Sequence, residues 1–361
     1  MHVVRGVLKE YDWGVVDGLA RWSGGPTGRP QAELWFGAHP AGASPVVTGH
    51  DEGTTLDALP SYDGIPMVKI LAASTPLSVQ VHPDAQRAKS GWVEQQANPR
   101  ADWLFADGAE KSEMLVAVTA FDVHAGWRDP EAAAEVLERA GAPADVVAAA
   151  RSGRHADAVR LLLALEPAQC GLIERQLVAA ATAAGWSSDA VSALARVAAT
   201  HPDDPGVLVS VLLDHRLLAP GEAIAVPAGV FHSYVVGLAI EVMTSSDNVL
   251  RLGLTNKPIA VDAALAAERA DRTPIPLGGY PGEVMWPPGM PFDLVLADQP
   301  VDAASGVFRT IVSLHGATRV AGEGVVELSE GEALVATPDE PALAVVPEGM
   351  AVVVTGTPKP R

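Results

Sequence analysis

Two polar residues interrupt an apolar run in the first quarter of the chain, and both are of types that can bind a metal ion. In the stretch MVKILAASTPLSVQVHPD, Gln80 and His82 lie at the end of a segment that predicts buried β-structure. Side chains two residues apart in a strand point to the same side. We therefore expect the Gln80 amide and the His82 imidazole to enter one interior together. Satisfaction by backbone groups is the simpler explanation for a lone strand histidine.

A second histidine favours a metal site. His232 follows a predicted strand and a turn in GEAIAVPAGVFHSYVV. The spacing of Gly221, Pro227, Gly229 and His232 is similar to the second cupin motif, in which the turn reverses the chain and the next strand projects a histidine into a barrel. That motif usually has asparagine four positions later, where this chain has Val236. The HxH of the first cupin motif is absent, and QVH stands in its place.

A glutamate adds a third candidate ligand. Glu113 opens the apolar run EMLVAVTAF and would face the same interior if Leu115 and Ala117 share its side of the strand. A glutamate that opens a strand is more often solvated. With Gln80, His82 and His232 it completes a set of two nitrogen and two oxygen ligands. Such a set suits zinc, manganese or iron and leaves positions open for water or substrate.

The elements that position these residues change in character along the chain. Residues 1–126 contain short Val- and Leu-rich runs separated by glycine and proline, which predict strands. Residues 127–200 are alanine-rich, with apolar residues recurring at intervals of three and four, which predicts helices. Asp129 followed by Pro130 predicts a helix start, and Gly141 and Gly185 predict helix ends. Short strands return from about residue 206.

An approximate repeat indicates two β-modules. GEAIAVP at residues 221–227 recurs as GEALVATP at residues 331–338, although two short matches in an alanine-rich chain can arise by chance. The second copy has no histidine after Pro338, and His315 has no ligand partner at strand spacing. We predict a mainly β fold with a helical insertion, formed by two cupin-type jelly-roll or β-barrel domains plus an α-helical domain. The predicted ranges are 1–126 with 201–255 for a metal-binding domain, 127–200 for the helical domain, and 256–361 for a metal-free domain.

Composition excludes several classes of partner. The 361 residues carry a formal net charge of −19, which argues against nucleic-acid and anionic-membrane binding. Any phosphate site must therefore rest on a few local cations. The single cysteine, Cys170, excludes an intrachain disulfide and a cysteine-built zinc site, and we expect it to be a small buried hydrophobe. No long apolar stretch or secretory leader is evident. We predict a cytoplasmic protein that is a monomer or weak homo-oligomer.

Several longer motifs give the chain a family resemblance. It resembles the type I mannose-6-phosphate isomerases, also called phosphomannose isomerases, over roughly its first two-thirds, with the motifs in the family's order and at similar separations. The resemblance implies a zinc enzyme with two cupin domains and a helical domain, one zinc ion being held by Gln80, His82, Glu113 and His232. The matching stretches are YDWG, AELWFGAHPAGAS, VKILAASTPLSVQVHPD, KSEMLVAVTAF, GEAIAVPAGVFHSYV and EVMTSSDNVLRLGLTNK.

The resemblance also implies roles for cationic residues. Arg251 falls on an arginine that the family assigns to the active site, although a surface arginine paired with Asp247 is the alternative. Lys111 falls on the lysine of the family stretch NHKPE, which is AEKSE here. The family's histidine is thus replaced by Glu110, which argues against any proton-transfer role that depended on that histidine but leaves the metal ligands unchanged. The family stretch GLTPK appears as GLTNK and retains Lys257.

Three further residues are candidates near the site. Trp13 resembles an active-site tryptophan of the family and would line the sugar pocket, or else belong to the core. Ser78 shares the side of Gln80 and is a candidate hydrogen-bond donor to phosphate, or simply a satisfied strand serine. Glu241 lies on the strand after His232. It would act as a carboxylate base or orient a ligand. His39 and His124 are expected to be structural.

The implied reaction is the interconversion of mannose 6-phosphate and fructose 6-phosphate through a cis-enediol. The base is left open among Glu241, Lys111 and a water molecule at the metal, and Arg251 would stabilise the enediolate or bind the phosphate. Use of glucose 6-phosphate also stays open. The alternatives are another metal-dependent cupin enzyme, such as an iron oxygenase, and a non-catalytic sugar-phosphate-binding cupin.

Overall fold

The computed structural model describes residues 1–98, 103–279 and 281–357. Strands predominate within these ranges, and most of the helices lie between residues 130 and 210. The strands are β1 (His2–Arg5), β2 (Val7–Lys9), β3 (Val15–Val16), β4 (Pro30–Gln31), β5 (Glu33–Phe36), β6 (Met67–Ala73), β7 (Val79–Val81), β8 (Glu113–Ala117), β9 (Phe121–Trp127), β10 (Leu213–Leu218), β11 (Ala223–Val226), β12 (His232–Met243), β13 (Leu250–Gly253), β14 (Ile275–Leu277), β15 (Val284–Met285), β16 (Phe292–Ala297), β17 (Val301–Ala303), β18 (Phe308–His315), β19 (Thr318–Ala321), β20 (Val325–Leu328), β21 (Glu332–Ala336), β22 (Leu343–Pro347) and β23 (Met350–Gly356). The helices are α1 (Ala20–Ser23), α2 (Ala85–Ala97), α3 (Pro130–Arg139), α4 (Ala144–Arg151), α5 (His155–Leu163), α6 (Pro167–Ala183), α7 (Ser188–Thr200), α8 (Gly206–Ser210) and α9 (Val261–Ala267).

The largest sheet has eleven strands and is organised around β12. The first half of β12 pairs with β7 and β9, and its second half pairs with β6 and β8. His232 and Glu241 lie on this one strand of twelve residues. The strand that follows the turn before His232 therefore carries Glu241, and no further turn interrupts its pairing.

Strand β8 shows the alternation that was expected of it. Leu115 and Ala117 pack into an interior cluster with Phe121. Met114 and Val116 face a different core. Residues of even spacing share a side in a strand, so Glu113 begins on the side of Leu115 and Ala117, as predicted.

The helical segment begins and ends where the sequence indicated. The Asp129 carboxylate accepts the N–H of Ala132 at 3.0 Å and caps α3, whose first residue is Pro130. Gly141 and Gly185 follow the ends of α3 and α6 with φ of +83° and +78°, where a left-handed residue terminates a helix. Cys170 is buried, as expected. None of the helices in the described ranges is long and apolar enough to cross a membrane.

The helices pack against the strands that carry the candidate site. One hydrophobic core contains Leu137, Leu177 and Leu194 from the helices together with Val79 of β7 and Leu252 of β13. Because β7 and β13 pair with each other, the helical segment supports them from one side. Helix packing therefore contributes to the placement of the residues at the ends of these strands.

The C-terminal part forms a six-stranded sheet and a four-stranded sheet with a core between them. The six-stranded sheet includes β1, which pairs with β21, whereas β14 pairs with β11 of the large sheet. Both strands lie across the boundaries drawn from the sequence. The repeated GEA segments form β11 and β21, each preceded by a glycine with φ near +90°, Gly221 at +89° and Gly331 at +83°.

Candidate metal centre and adjoining cavity

Three buried side chains meet where three strands begin or end. His82 follows β7, Glu113 opens β8 and His232 opens β12, and one ligand atom from each lies within 4.8 Å of the others. Glu113 Oε1 is 3.1 Å from His232 Nε2, and Glu113 Oε2 is 3.5 Å from His82 Nδ1. The polar groups therefore converge on a point from different strands.

Gln80 adjoins this cluster because strand register places it there. It lies directly opposite His232 on one side and opposite Arg251 on the other, in the strand order β12, β7, β13. Its amide Nε2 is 3.3 Å from His232 Nε2. Rotation of the amide by 180° directs its oxygen to the same point. All four ligands suggested by the sequence are thus brought together.

The chemistry of these residues fits a divalent cation. Within the described part of the chain, neither ring nitrogen of His82 makes a hydrogen bond, although the side chain is 1% exposed. An unsatisfied buried polar group costs about 1–3 kcal/mol. A cation that accepts the imidazole lone pair removes this cost. Two imidazoles, a carboxylate and an amide oxygen are ligands that zinc accepts.

The protonation states also favour metal binding. Burial, with the charge of Lys111, holds the pKa of His82 well below its usual range, so the ring is neutral. Burial alone would raise the pKa of Glu113, but Lys111 and the two histidines outweigh it and hold that pKa well below its usual range. Lys111 Nζ lies 3.2 Å from Glu113 Oε2. Tyr234 donates its hydroxyl to Glu113 Oε1 at 2.6 Å.

A cavity of about 1290 Å³ opens beside the centre. Every residue that the sequence suggested for catalysis or substrate binding lines this cavity. These residues are Trp13, Ser78, Lys111, Glu241, Arg251 and Lys257, and Gln80 also lines the wall.

One part of the cavity wall carries neighbouring positive charges. Arg251 lies on β13, and Lys257 lies in the segment that follows this strand. The pKa of Lys257 is lowered by burial and by the charge of Arg251. No ion pair joins Arg251 to Asp247 in the described ranges, and Asp247 Oδ2 instead lies 3.4 Å from His39 Nε2. Arg251 is therefore available to an anionic ligand.

The sequence did not single out Lys69, although it lines the same cavity. Its Nζ lies 2.7 Å from Glu241 Oε2 and 3.3 Å from Glu33 Oε1. Burial would lower the pKa of Lys69, but the two carboxylates raise it, so the group stays charged. Burial raises the pKa of Glu241, against the opposing effect of Lys69. The available signal was a lysine inside the apolar run MVKILAA.

Aromatic and hydroxyl groups complete the wall. Trp13 stacks on Tyr11, with ring centroids 5.7 Å apart, and the Nζ of Lys257 lies 5.8 Å from the Tyr11 ring. Tyr11 was not predicted as a site residue. Ser78 donates its hydroxyl to Gln80 Oε1 at 3.4 Å, so it contacts a candidate metal ligand.

Glu110, which the sequence comparison set against a histidine of the family, contacts the start of α2 and Ser112. Its Oε2 accepts the N–H of Ala85, the first residue of α2, at 3.0 Å, and its Oε1 accepts the hydroxyl of Ser112 at 3.0 Å. Among the described residues that line the large cavity, Glu110 is not included. Glu110 therefore stabilises the start of α2 and is not part of the described cavity wall.

Fold and site together define a mainly β protein with a buried His/Glu/His candidate metal centre beside a cavity whose wall contains both cationic and acidic side chains. A family model described as "Phosphomannose isomerase type I, catalytic domain" matches residues 1–130. The mannose-6-phosphate isomerase of Salmonella typhimurium is 29% identical over 290 residues, covering 74% of each chain. That of Mus musculus is 27% identical over 318 residues, covering 75% of this chain and 73% of the other.

Solved structures agree with these matches over the whole chain. A variant of phosphomannose isomerase from Salmonella typhimurium superposes with a TM-score of 0.83 at 25% identity, covering 99% of this chain and 100% of the other. A zinc-bound mannose 6-phosphate isomerase has the same fold, with a TM-score of 0.82 at 24% identity and the same coverage. The chain is therefore similar to the type I phosphomannose isomerases in the sequence of its first 130 residues and in its overall fold.

Proposed function

We propose that this chain interconverts mannose 6-phosphate and fructose 6-phosphate in a zinc-dependent reaction. The observation that carries the proposal is the buried centre of His82, Glu113 and His232 beside a cavity whose wall contains Arg251 and Lys257. The relatives named above carry this activity in their names, and one solved relative is described as zinc-bound. Gln80 would complete the ligand set of one zinc ion.

The proposed chemistry moves a proton between C2 and C1 of the open-chain sugar through a cis-enediol. A bound divalent cation would supply Lewis-acid stabilisation of the charge that develops on the sugar oxygens. Arg251 adds a fixed, always-charged fork beside Gln80, which suits either the phosphate or the enediolate. Lys257, near Arg251, would hold the phosphate. Trp13 and Ser78, which also line the cavity, would contact the substrate.

Glu241 is the carboxylate that we assign to proton transfer. Its pKa is raised by burial, which makes it a better proton acceptor than an ordinary carboxylate, and Lys69 holds it in place at 2.7 Å. Lys111 is held by Glu113 at 3.2 Å and would stabilise negative charge near the centre. Replacement of Glu241 by glutamine should lower kcat about a hundredfold or more while zinc content is unchanged.

We also propose the finer organisation that the resemblance implies. The large sheet would be a cupin-type metal-binding domain formed by residues 1–126 and 201–255, residues 127–200 the helical domain, and residues 256–361 a metal-free cupin-like domain. Two strands depart from these bounds: β1 pairs with β21 of the C-terminal sheet, and β14 pairs with β11 of the large sheet. The cytoplasmic location and the monomeric or weakly associated state stay predictions from the sequence.

The deciding experiment measures conversion of mannose 6-phosphate before and after metal removal. We expect turnover to vanish with chelation and to return with zinc. A zinc-loaded protein that binds mannose 6-phosphate without converting it would instead establish a sugar-phosphate-binding protein. The same assay with glucose 6-phosphate tests a broader substrate range, and metal analysis that finds iron with oxygen consumption would identify the oxygenase alternative.

A further inference from the structure

A leucine in a rare backbone conformation marks the end of β13. Leu254 has φ of +57° and its side chain is 2% exposed. Bulky L-residues rarely adopt this left-handed region, and they remain there only when surrounding contacts hold them. The next three residues, Thr255 to Lys257, line the large cavity. The conformation of Leu254 therefore sets the direction in which this part of the wall leaves the strand.

A carboxylate from the helical segment holds this turn. Asp204 Oδ2 accepts the N–H of Leu254 at 2.8 Å, and Asp204 Oδ1 accepts the N–H of Gly206 at 2.7 Å. Asp204 belongs to the sequence HPDDP, which connects α7 to α8 and itself lines the cavity. One side chain thus joins the start of α8 to the residue that follows β13.

The backbones of the two segments are in close contact at this junction. A Cβ atom on Gly206 would lie 2.7 Å from Leu254 N and 2.8 Å from Gly253 Cα, and a Cβ on Gly253 would lie 2.6 Å from Gly206 Cα. Cβ atoms do not approach backbone so closely, and glycine at both positions allows the contact. The Asp204 carboxylate reaches the Leu254 amide because of this approach.

The connecting segment is also anchored at two neighbouring points. The backbone N–H of Asp203 donates to Glu174 Oε2 of α6 at 2.8 Å, and His201 Nε2 lies 3.1 Å from the carbonyl oxygen of Pro76. The exit from the helical segment is thus tied to α6 and to the loop before β7. Asp204 adds the contact with β13.

We propose that Asp204 is a positioning residue for substrate binding, which holds Leu254 in its left-handed conformation and thereby places Lys257 beside Arg251. The inference rests on the proposed function, since it takes the phosphate of the sugar to be the group that Lys257 binds. Without the carboxylate, Leu254 relaxes towards negative φ and the three residues after it change direction. The metal ligands lie on other strands and keep their positions.

The test compares Asp204→Ala with Asp262→Asn as a matched control. Asp262 lies in the first turn of α9, is 90% exposed and pairs with Arg160, away from the cavity. In the zinc-loaded full chain, we expect Asp204→Ala to raise KM for mannose 6-phosphate about tenfold, with kcat within about threefold and zinc content unchanged. Hydrogen exchange of residues 250–257 should accelerate. The control should change none of these.

A second variant separates positioning from general damage. Leu254→Gly in the Asp204→Ala background removes the steric penalty of positive φ, so KM should return towards that of the parent chain. A double variant that unfolds cooperatively and binds zinc but keeps the high KM overturns the proposal. So does Asp204→Ala with unchanged KM, whether or not exchange accelerates. If Asp204→Ala fails to fold, Asp204→Asn, which retains one acceptor oxygen, should show a smaller rise in KM, and an unchanged KM overturns the proposal equally.

Failure of the proposed function gives a different result. In that case the parent chain loaded with zinc neither converts mannose 6-phosphate nor binds it by calorimetry, and the positioning role falls with the function. Faster exchange at residues 250–257 in the variant would then show only a local structural contact. A parent chain that is active, with a variant of normal KM, refutes the positioning role alone.

Discussion

Individual residues at the centre are kept in the protonation states that metal binding requires. His82 is neutral because burial and the charge of Lys111 disfavour its charged form. Glu113 is ionised because Lys111 and the two histidines of the centre together outweigh the effect of burial. A metal ligand needs both of these states. The centre is therefore prepared for a cation by its own side chains.

Replacement of His82 by alanine should remove the metal. Its ring nitrogens have no hydrogen-bond partner among the described residues, so their one strong interaction would be with the cation. We expect zinc affinity to fall about a hundredfold or more, with loss of turnover, as measured by metal analysis and by isomerase assay. His315→Ala, at a 66% exposed side chain, is the control. Full zinc content and turnover in His82→Ala would contradict the assignment.

Replacement of Lys69 by methionine should destabilise the fold. Lys69 lies between Glu33 and Glu241, and its loss leaves two carboxylates buried without their cation. We expect the free energy of unfolding to fall by about 3–5 kcal/mol, as measured by urea titration. The exposed Lys89→Met should change it by less than about 0.5 kcal/mol. Equal stabilities of the two variants would show that the carboxylates do not depend on Lys69.

A pH dependence follows from His124. Burial, with the charges of His215 and Arg128, lowers the pKa of His124 from 6.5 to about 3. Between these values the unfolded chain binds a proton that the folded chain does not. The stabilisation is therefore complete above pH 6.5 and is lost as pH falls towards about 3, at up to about 1.4 kcal/mol per pH unit.

The measurement compares urea unfolding of the parent chain and His124→Leu between about pH 6.5 and 4.5, so that pH effects common to both proteins cancel. As pH falls, the free energy of unfolding of the parent should fall more steeply than that of the variant. The difference in slope should reach up to about 1.4 kcal/mol per pH unit, which corresponds to one proton. Parallel curves would mean that His124 is protonated in the folded protein.

Secondary-structure elements determine which of these residues meet. Register across β12, β7 and β13 places His232, Gln80 and Arg251 side by side. Further along β12, register places Glu241 opposite Lys69 of β6. One long strand therefore links the metal centre to the buried ion pair. The turn after β13 depends in addition on the contact between Gly206 and Gly253.

Substitution of Gly206 by alanine should separate α8 from β13. The new Cβ would lie 2.7 Å from Leu254 N, and neither backbone has room to move within the packed core. We expect a loss of about 1–3 kcal/mol in the free energy of unfolding, measured by urea titration. Gly278→Ala is the control, because its Cβ would meet nothing within 4 Å. A stable Gly206→Ala variant would show that this junction can open.

The whole molecule combines its two β-regions in one core. Leu34 and Ile70 of the large sheet belong to the same hydrophobic cluster as Leu294 and Val352 of the C-terminal sheet, and β1 crosses between the regions. The net charge of −19 repels an anionic substrate at long range. Attraction must therefore come from local positive charges in the cavity wall, such as those of Arg251 and Lys257.

The shared core predicts that the β-regions unfold together. Differential scanning calorimetry should show one transition for them, with calorimetric and van't Hoff enthalpies in agreement, and a fragment ending at residue 277 should not fold. The control is a variant in the helical segment, such as Asp129→Ala, which should lower stability by about 1 kcal/mol without splitting the transition. Two separated transitions for the β-regions would contradict the single core.

Much of the fold and candidate site could be predicted from the sequence, because the relevant signals are local. Strand alternation puts Gln80 and His82 on one side, the turn before His232 directs that residue inward, and a capping aspartate and two glycines delimit helices. The pairing of Lys69 with Glu33 and Glu241, the position of β1 and the contact of Asp204 with Leu254 were decided by tertiary structure. Local periodicity specifies which side a residue faces. Its partner across the sheet depends on register and on how distant segments pack, which no local pattern contains.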